Sequence, residues 1–120
     1  MAKEYSADLQ KLFLEMMMQD AQNYVRVQNI FNPENFDRSL KETATFIAEH
    51  STKHATLPTY EMVKANVGVE LKPIPDMLDG HNDWFMAEFE SFTKRQELER
   101  AILKSADMLE KGEYDPVEKL

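Results

Sequence analysis

The sequence predicts an all-α protein, a small helical globule followed by a long helix that begins a helical hairpin. Three observations predict it. Apolar residues recur at steps of three and four through most of the chain. Ser, Asp, Asn and Thr stand ahead of those periodic stretches, where a helix N-cap belongs. Residues 84–109 then keep helical spacing with neither Pro nor Gly among them.

Taken in order, Ser6 caps a first helix of roughly Ala7–Gln19, with Leu9, Leu12, Phe13, Met16 and Met17 on one broad face. Asp20 caps a short second helix carrying Tyr24, Val25 and Ile30. Asn32-Pro33 is a cap followed by proline at the first helical position, a single turn that delivers Phe36 inward. Asp37 or Ser39 opens a longer helix that runs out near His54; its apolar set is Leu40, Ala44, Ile47 and Ala48, with Phe46 at the margin. Leu57-Pro58-Thr59 is a stop and a cap, after which Met62, Val63 and Val67 form an apolar face that Gly68 ends. Residues 67–71 alternate but are too short, and have no partner strand, to be anything but loop. Lys72 to Gly80, with Pro73 and Pro75, is the one candidate linker, so the chain divides into a globule at 1–80 and a long helix with the start of its hairpin at 81–120.

The long helix changes direction part-way. At ~100° per residue, Phe85, Phe89 and Phe92 form one stripe, while Leu98, Ile102 and Leu109 form a second, rotated by roughly 120°. One helix serves two neighbours. If the phenylalanines close the globule, the second stripe is left for a partner helix. Lys111 and Gly112 suit the helix C-terminus, and Asp115-Pro116 reads as the cap and first residue of another helix. A helix cut off after about one turn cannot stand alone, so the chain is expected to be a fragment that continues beyond Leu120.

The 120 residues are 42% hydrophobic and 30% charged, enough to bury a core. With no cysteine there is no disulfide, thiolate nucleophile or thiolate zinc site. Neither a signal pattern nor a long apolar run is present, so the expectation is a cytoplasmic protein without membrane contact. A formal net charge of −8, from 22 acidic and 14 basic residues, disfavours direct nucleic-acid binding.

The glycines are Gly68, Gly80 and Gly112, from which neither a P-loop nor a dinucleotide loop can be drawn. His50 and His54 stand at i, i+4 near Glu49, a spacing that can place two imidazoles on one metal, but without a third ligand they read as last-turn residues suited to the helix dipole. In His81-Asn82-Asp83, Asn82 reads as a helix cap. Glu88, Glu90, Glu97 and Glu99 alternate with Lys94, Arg95, Arg100 and Lys104 at salt-bridge spacing, the pattern of a solvated face. Met16-Met17-Met18 covers over half the helix circumference, which fills a core and leaves room for a contact at its rim. No catalytic, cofactor-binding or metal-ligating residue is assigned.

The succession of residues 9–18 (LQKLFLEMMM) with Asp20, Phe31-Asn32-Pro33-Glu34-Asn35-Phe36, Phe46-Ile47-Ala48-Glu49-His50, His54 to Thr59 (HATLPT) and a long helix with Trp84 and Phe92-Thr93-Lys94-Arg95 resembles the N-terminal domain of DnaB-type replicative DNA helicases, more that of T-even-like phages than that of the bacterial proteins. The resemblance covers nearly the whole chain. It implies a helical globule and hairpin joined by a linker to a RecA-like ATPase domain, where ATP and Mg would bind in the parent chain and not in this segment. It further implies a collar on a hexameric ring, in which hairpins pair neighbouring subunits and the collar receives primase and, in some systems, a helicase loader. Leu98, Ile102, Leu109 and Arg95 are then the interface candidates. The reading that follows is a non-catalytic assembly and docking domain; the alternative is a stand-alone phage helical adaptor or regulatory protein that binds a host protein. A phosphate-binding Gly-x-x-x-x-Gly-Lys-Ser/Thr sequence downstream separates the two.

Overall fold

The structure is a computed structural model and describes residues 5–110. Helix α1 (Ala7–Gln19) is followed by α2 (Ala21–Val27), a 3₁₀ turn at Pro33–Asn35, α3 (Arg38–His54), α4 (Tyr60–Val67) and α5 (Asp79–Glu110). No strand occurs among the described residues, and residues 68–71 are loop. The protein is all-α. The helix end read at Lys111 and Gly112, the restart at Asp115-Pro116 and the side chain of Leu109 lie outside the described residues.

The starts of α1 to α4 and of the 3₁₀ turn are each set by a short polar side chain that takes an otherwise orphaned backbone N–H. Ser6 Oγ accepts from Leu9 (3.2 Å), Asp20 Oδ1 from Gln22 (3.0 Å), Asn32 Oδ1 from Glu34 (3.0 Å), Asp37 Oδ2 from Ser39 (3.1 Å) and Thr59 Oγ1 from Met62 (3.1 Å). Asp37, not Ser39, is thus the cap of α3. Gly68 closes α4 in the left-handed conformation at φ 75°, which costs glycine nothing. Ala55 closes α3 the same way at φ 57°, where its Cβ is crowded.

Phe13 is the hub of the core. Its ring lies 5.9, 5.6 and 5.5 Å from those of Phe85, Phe89 and Phe92, with edge-on or tilted geometry that aromatic rings favour. Met17, Val27, Ile47 and Val63 are fully buried around it, and the turn at Asn32-Pro33 brings Phe36 in to 3% exposure. The first half of α5 is therefore part of the globule, and the division at 80/81 marks no gap in packing.

Several sequence expectations shift by a residue or two. Val27, not Val25, is the inward valine of α2; Val25 is 58% exposed. Leu14 is fully buried beside Phe13, while Leu9 and Leu12 are only half-buried. Met62 stays exposed, leaving Val63 and Val67 to face inward. Residues 72–78 do not form a free linker: the Lys72 N–H donates to Glu15 Oε2 (2.7 Å) and the Ile74 N–H to Gln19 Oε1 (3.1 Å), strapping the segment along α1.

Helix α5 begins at Asp79, ahead of the Asn82 start read from sequence. Leu78 supplies the carbonyl of the first turn to the N–H groups of His81 and Asn82, and its own N–H donates to His81 Nδ1 (3.0 Å), the returning half of a capping box. Asn82 is not the cap. Its Oδ1 accepts from Asn23 Nδ2 (3.0 Å) and its Nδ2 donates to Asp20 Oδ2 (3.3 Å), tying α5 to the α1–α2 corner.

Candidate functional site

Helix α5 has 32 residues, roughly 48 Å at 1.5 Å per residue, in a molecule whose longest extent is 52 Å. Its partners change along that length. Phe85, Phe89 and Phe92 are buried to 1% or less. The attachment that follows is polar: Gln96 Nε2 donates to the Asn35 carbonyl (2.7 Å) and Arg100 Nη2 to Asn35 Oδ1 (2.7 Å). Asn35 can receive both because the Asn32-Pro33 turn holds it in the wall of the globule at 2% exposure. Arg100, read as an ion-pair residue, is thus a clamp.

Past this clamp the helix continues to Glu110. Residues 101–107 are all exposed, and residues 101–110 span roughly 15 Å. Leu98 is 61% exposed, Ile102 59% and Leu103 68%. Four residues separate Leu98 from Ile102, about 40° around the axis, so the two share a stripe. Leu103 stands eighteen residues, about five turns, after Phe85 and so continues the phenylalanine line beyond the globule. The projecting helix accordingly carries two apolar lines. Sequence reasoning named Leu98 and Ile102 and missed Leu103, although its register with Phe85 was the signal that could have found it.

Arg95 lies on the Leu98–Ile102 side, at the base of the projection. Its guanidinium carbon sits 5.8 Å from the centre of the Tyr5 ring, and its Nε donates to Glu99 (3.4 Å). Beside it a cleft of about 370 Å³ opens between Tyr5, Gln10, Asp37 and Glu99. Much of that polar lining serves the fold: Gln10 donates to the Tyr5 carbonyl (2.8 Å) and accepts from the Asp37 N–H (2.6 Å).

Among the described residues, the histidines, methionines and shifted titratable groups lie in separate places. The rings of His50 and His54 are 4.6 Å apart on the last turns of α3, and no group of three or more metal-ligating side chains occurs among the described residues. Met16 and Met17 are buried and Met18 is half-buried against the core. Asp37 is held below the usual carboxylate value by the Ser39 hydroxyl and then by the Ser39 N–H. Burial pushes the Tyr24 phenol up, partly offset by a hydrogen bond with Ser51, and burial followed by the Glu15 carboxylate raises Tyr60. These shifts belong to packing and capping. No helix among the described residues is long and apolar enough to cross a membrane.

Comparison with protein-family models, with curated proteins and with solved structures finds no match to the chain.

Proposed function

We propose that this chain is the non-catalytic assembly and partner-docking domain of a DnaB-type hexameric replicative helicase. The observation that carries the reading is the projecting end of α5, where Leu98, Ile102 and Leu103 stand exposed on a helix anchored by Asn35, Gln96 and Arg100. An apolar stripe on a rigid helix is suited to helix-to-helix pairing. Fully burying each such side chain contributes about 1.5–3 kcal/mol, so a few of them against a second copy make a pairing surface. The order of turns and helices that resembles the helicase domain supports the same reading. Under it the partners are other subunits, primase and a loader; ATP and Mg act in the parent chain, and the acidic segment leaves DNA to other parts of the ring.

The test is the full-length product of the gene. A ring-forming protein with a Gly-Lys phosphate loop outside residues 1–120 and DNA-stimulated ATP hydrolysis is expected, and Leu98→Glu with Ile102→Glu should reduce ring assembly. A full-length product lacking such a loop, or rings unchanged by the double substitution, would overturn the proposal.

A further inference from the structure

We propose that the open apolar groove between α1 and the start of α5 is a docking site for a basic amphipathic helix of another protein. The groove measures about 240 Å³ and is lined by Leu12, Met16, Ile74, Met77, His81 and Trp84. That is below the ~300–1,000 Å³ of sites for drug-sized ligands and suits a single apolar anchor side chain. Its walls are held in place before anything binds. The bonds from Lys72 to Glu15 and from Ile74 to Gln19 pin the far wall to α1, and the His81–Leu78 cap fixes the near one. Two methionines give an adaptable floor, and Trp84, 40% exposed, is the residue type that most often anchors an interface.

Charge identifies the occupant. Residues 73–89, which supply four of the six lining residues, contain no Lys or Arg and four acids, Asp76, Asp79, Asp83 and Glu88, with Lys72 the one cation at the edge of that segment. On the opposite wall α1 contributes Asp8 and Glu15 against Lys11. An apolar slot inside an acidic region selects an apolar stripe flanked by Lys and Arg. No strand edge exists among the described residues for an extended peptide to join, so the mode is helix in groove. A second copy is left to the test, since Trp84 emission that changes with protein concentration in the absence of peptide would overturn the proposal; an anionic lipid surface is repelled by the same acids. The groove lies near Trp84 and the projecting stripe near Ile102, about 27 Å apart along α5, so the inference stands independently of the helicase reading.

Trp84 is the sole tryptophan, so its emission reports occupancy directly. The probe is a synthetic helical peptide with Leu on one face and Lys on the rest, paired with a counterpart in which every Lys is Glu. The Lys peptide should shift Trp84 emission saturably, weaken as salt rises, and bind about tenfold or more tightly than the Glu peptide. Met77→Glu is the decisive variant, because it adds negative charge inside the groove: charge attraction alone predicts tighter binding of the Lys peptide, docking predicts about a tenfold loss. If that variant loses its circular dichroism, the surface pair Asp79→Lys with Asp83→Lys decides, with weaker Lys-peptide binding expected. Leu98→Glu with Ile102→Glu should bind like the unmodified protein. Equal binding of the two peptides, a folded Met77→Glu protein that binds undiminished, an unchanged affinity in the lysine pair, or tighter response to anionic phospholipid vesicles than to the peptide would overturn the proposal.

Discussion

At the scale of single residues, the buried polar groups divide into those that hold the fold and those that only tax it. Asn35 holds it: its side chain and carbonyl receive Arg100 and Gln96 where α5 leaves the globule. Asn35→Ala removes the amide and leaves Arg100 without that acceptor, so it should lower stability by about 1–3 kcal/mol in denaturant titration. Thr43 is the opposite case. It is fully buried, and its hydroxyl has no hydrogen-bond partner. Thr43→Val keeps the shape and removes the unsatisfied oxygen, so it should be neutral or raise stability by up to about 1 kcal/mol. A loss comparable to that of Asn35→Ala would mean that the hydroxyl is satisfied after all. Neither residue was legible in the sequence. Periodicity marks apolar positions, and a buried Asn or Thr reads like any surface polar residue until its partners are known.

At the scale of elements, the sequence was most readable where chemistry is local. Four of the five caps from Ser6 to Thr59 were visible outright and the fifth was narrowed to Asp37 or Ser39, because a capping side chain meets a backbone group two or three residues away. The inward faces of long helices were also visible, Phe85, Phe89 and Phe92 above all. What failed needed distant partners. The seven residues of α2 are too few for their own period to choose between Val25 and Val27. The strap at residues 72–78 rests on Glu15 and Gln19, more than fifty positions away. The stripe of Leu98 and Ile102 was legible, whereas Leu103 was hidden because its line is traced by residues still in the globule.

Two predictions belong to α3. Its N-cap Asp37 has a carboxyl held below the ordinary value of 3.8 by Ser39, so the folded state prefers the ionised form. That contribution is present above the unfolded value and is lost as pH falls through the lower folded one. Acid titration should thus cost the unmodified protein this part of its stability below about pH 4, and Asp37→Asn, which keeps an acceptor without the charge change, should flatten that loss. At the other end, Ala55 sits at φ 57° with its side chain exposed. Ala55→Gly relieves a left-handed alanine at a cost of roughly 1–2 kcal/mol and gives back about 0.5–1 kcal/mol in chain entropy, so a small net gain in melting temperature is expected. A lower melting temperature would show that α3 does not end in that conformation.

At the scale of the whole molecule, a closed globule carries the exposed end of α5. Phe13 and the phenylalanine stripe complete the core without help, and the polar clamp on Asn35 fixes the angle at which α5 leaves. The exposed end of α5 carries Leu98, Ile102 and Leu103, the surface that the proposed pairing with another helix would use. The acidic balance of 22 to 14 fits protein contacts better than phosphate contacts. The most direct measurement is light scattering on a chromatography column across a wide concentration range, comparing the unmodified chain with Leu98→Glu and Ile102→Glu together, with circular dichroism as the folding control. The unmodified chain should associate as concentration rises, and the double variant should remain a folded monomer. A chain that stays monomeric at millimolar concentration, or a double variant that unfolds, would contradict the assignment of this stripe to a partner.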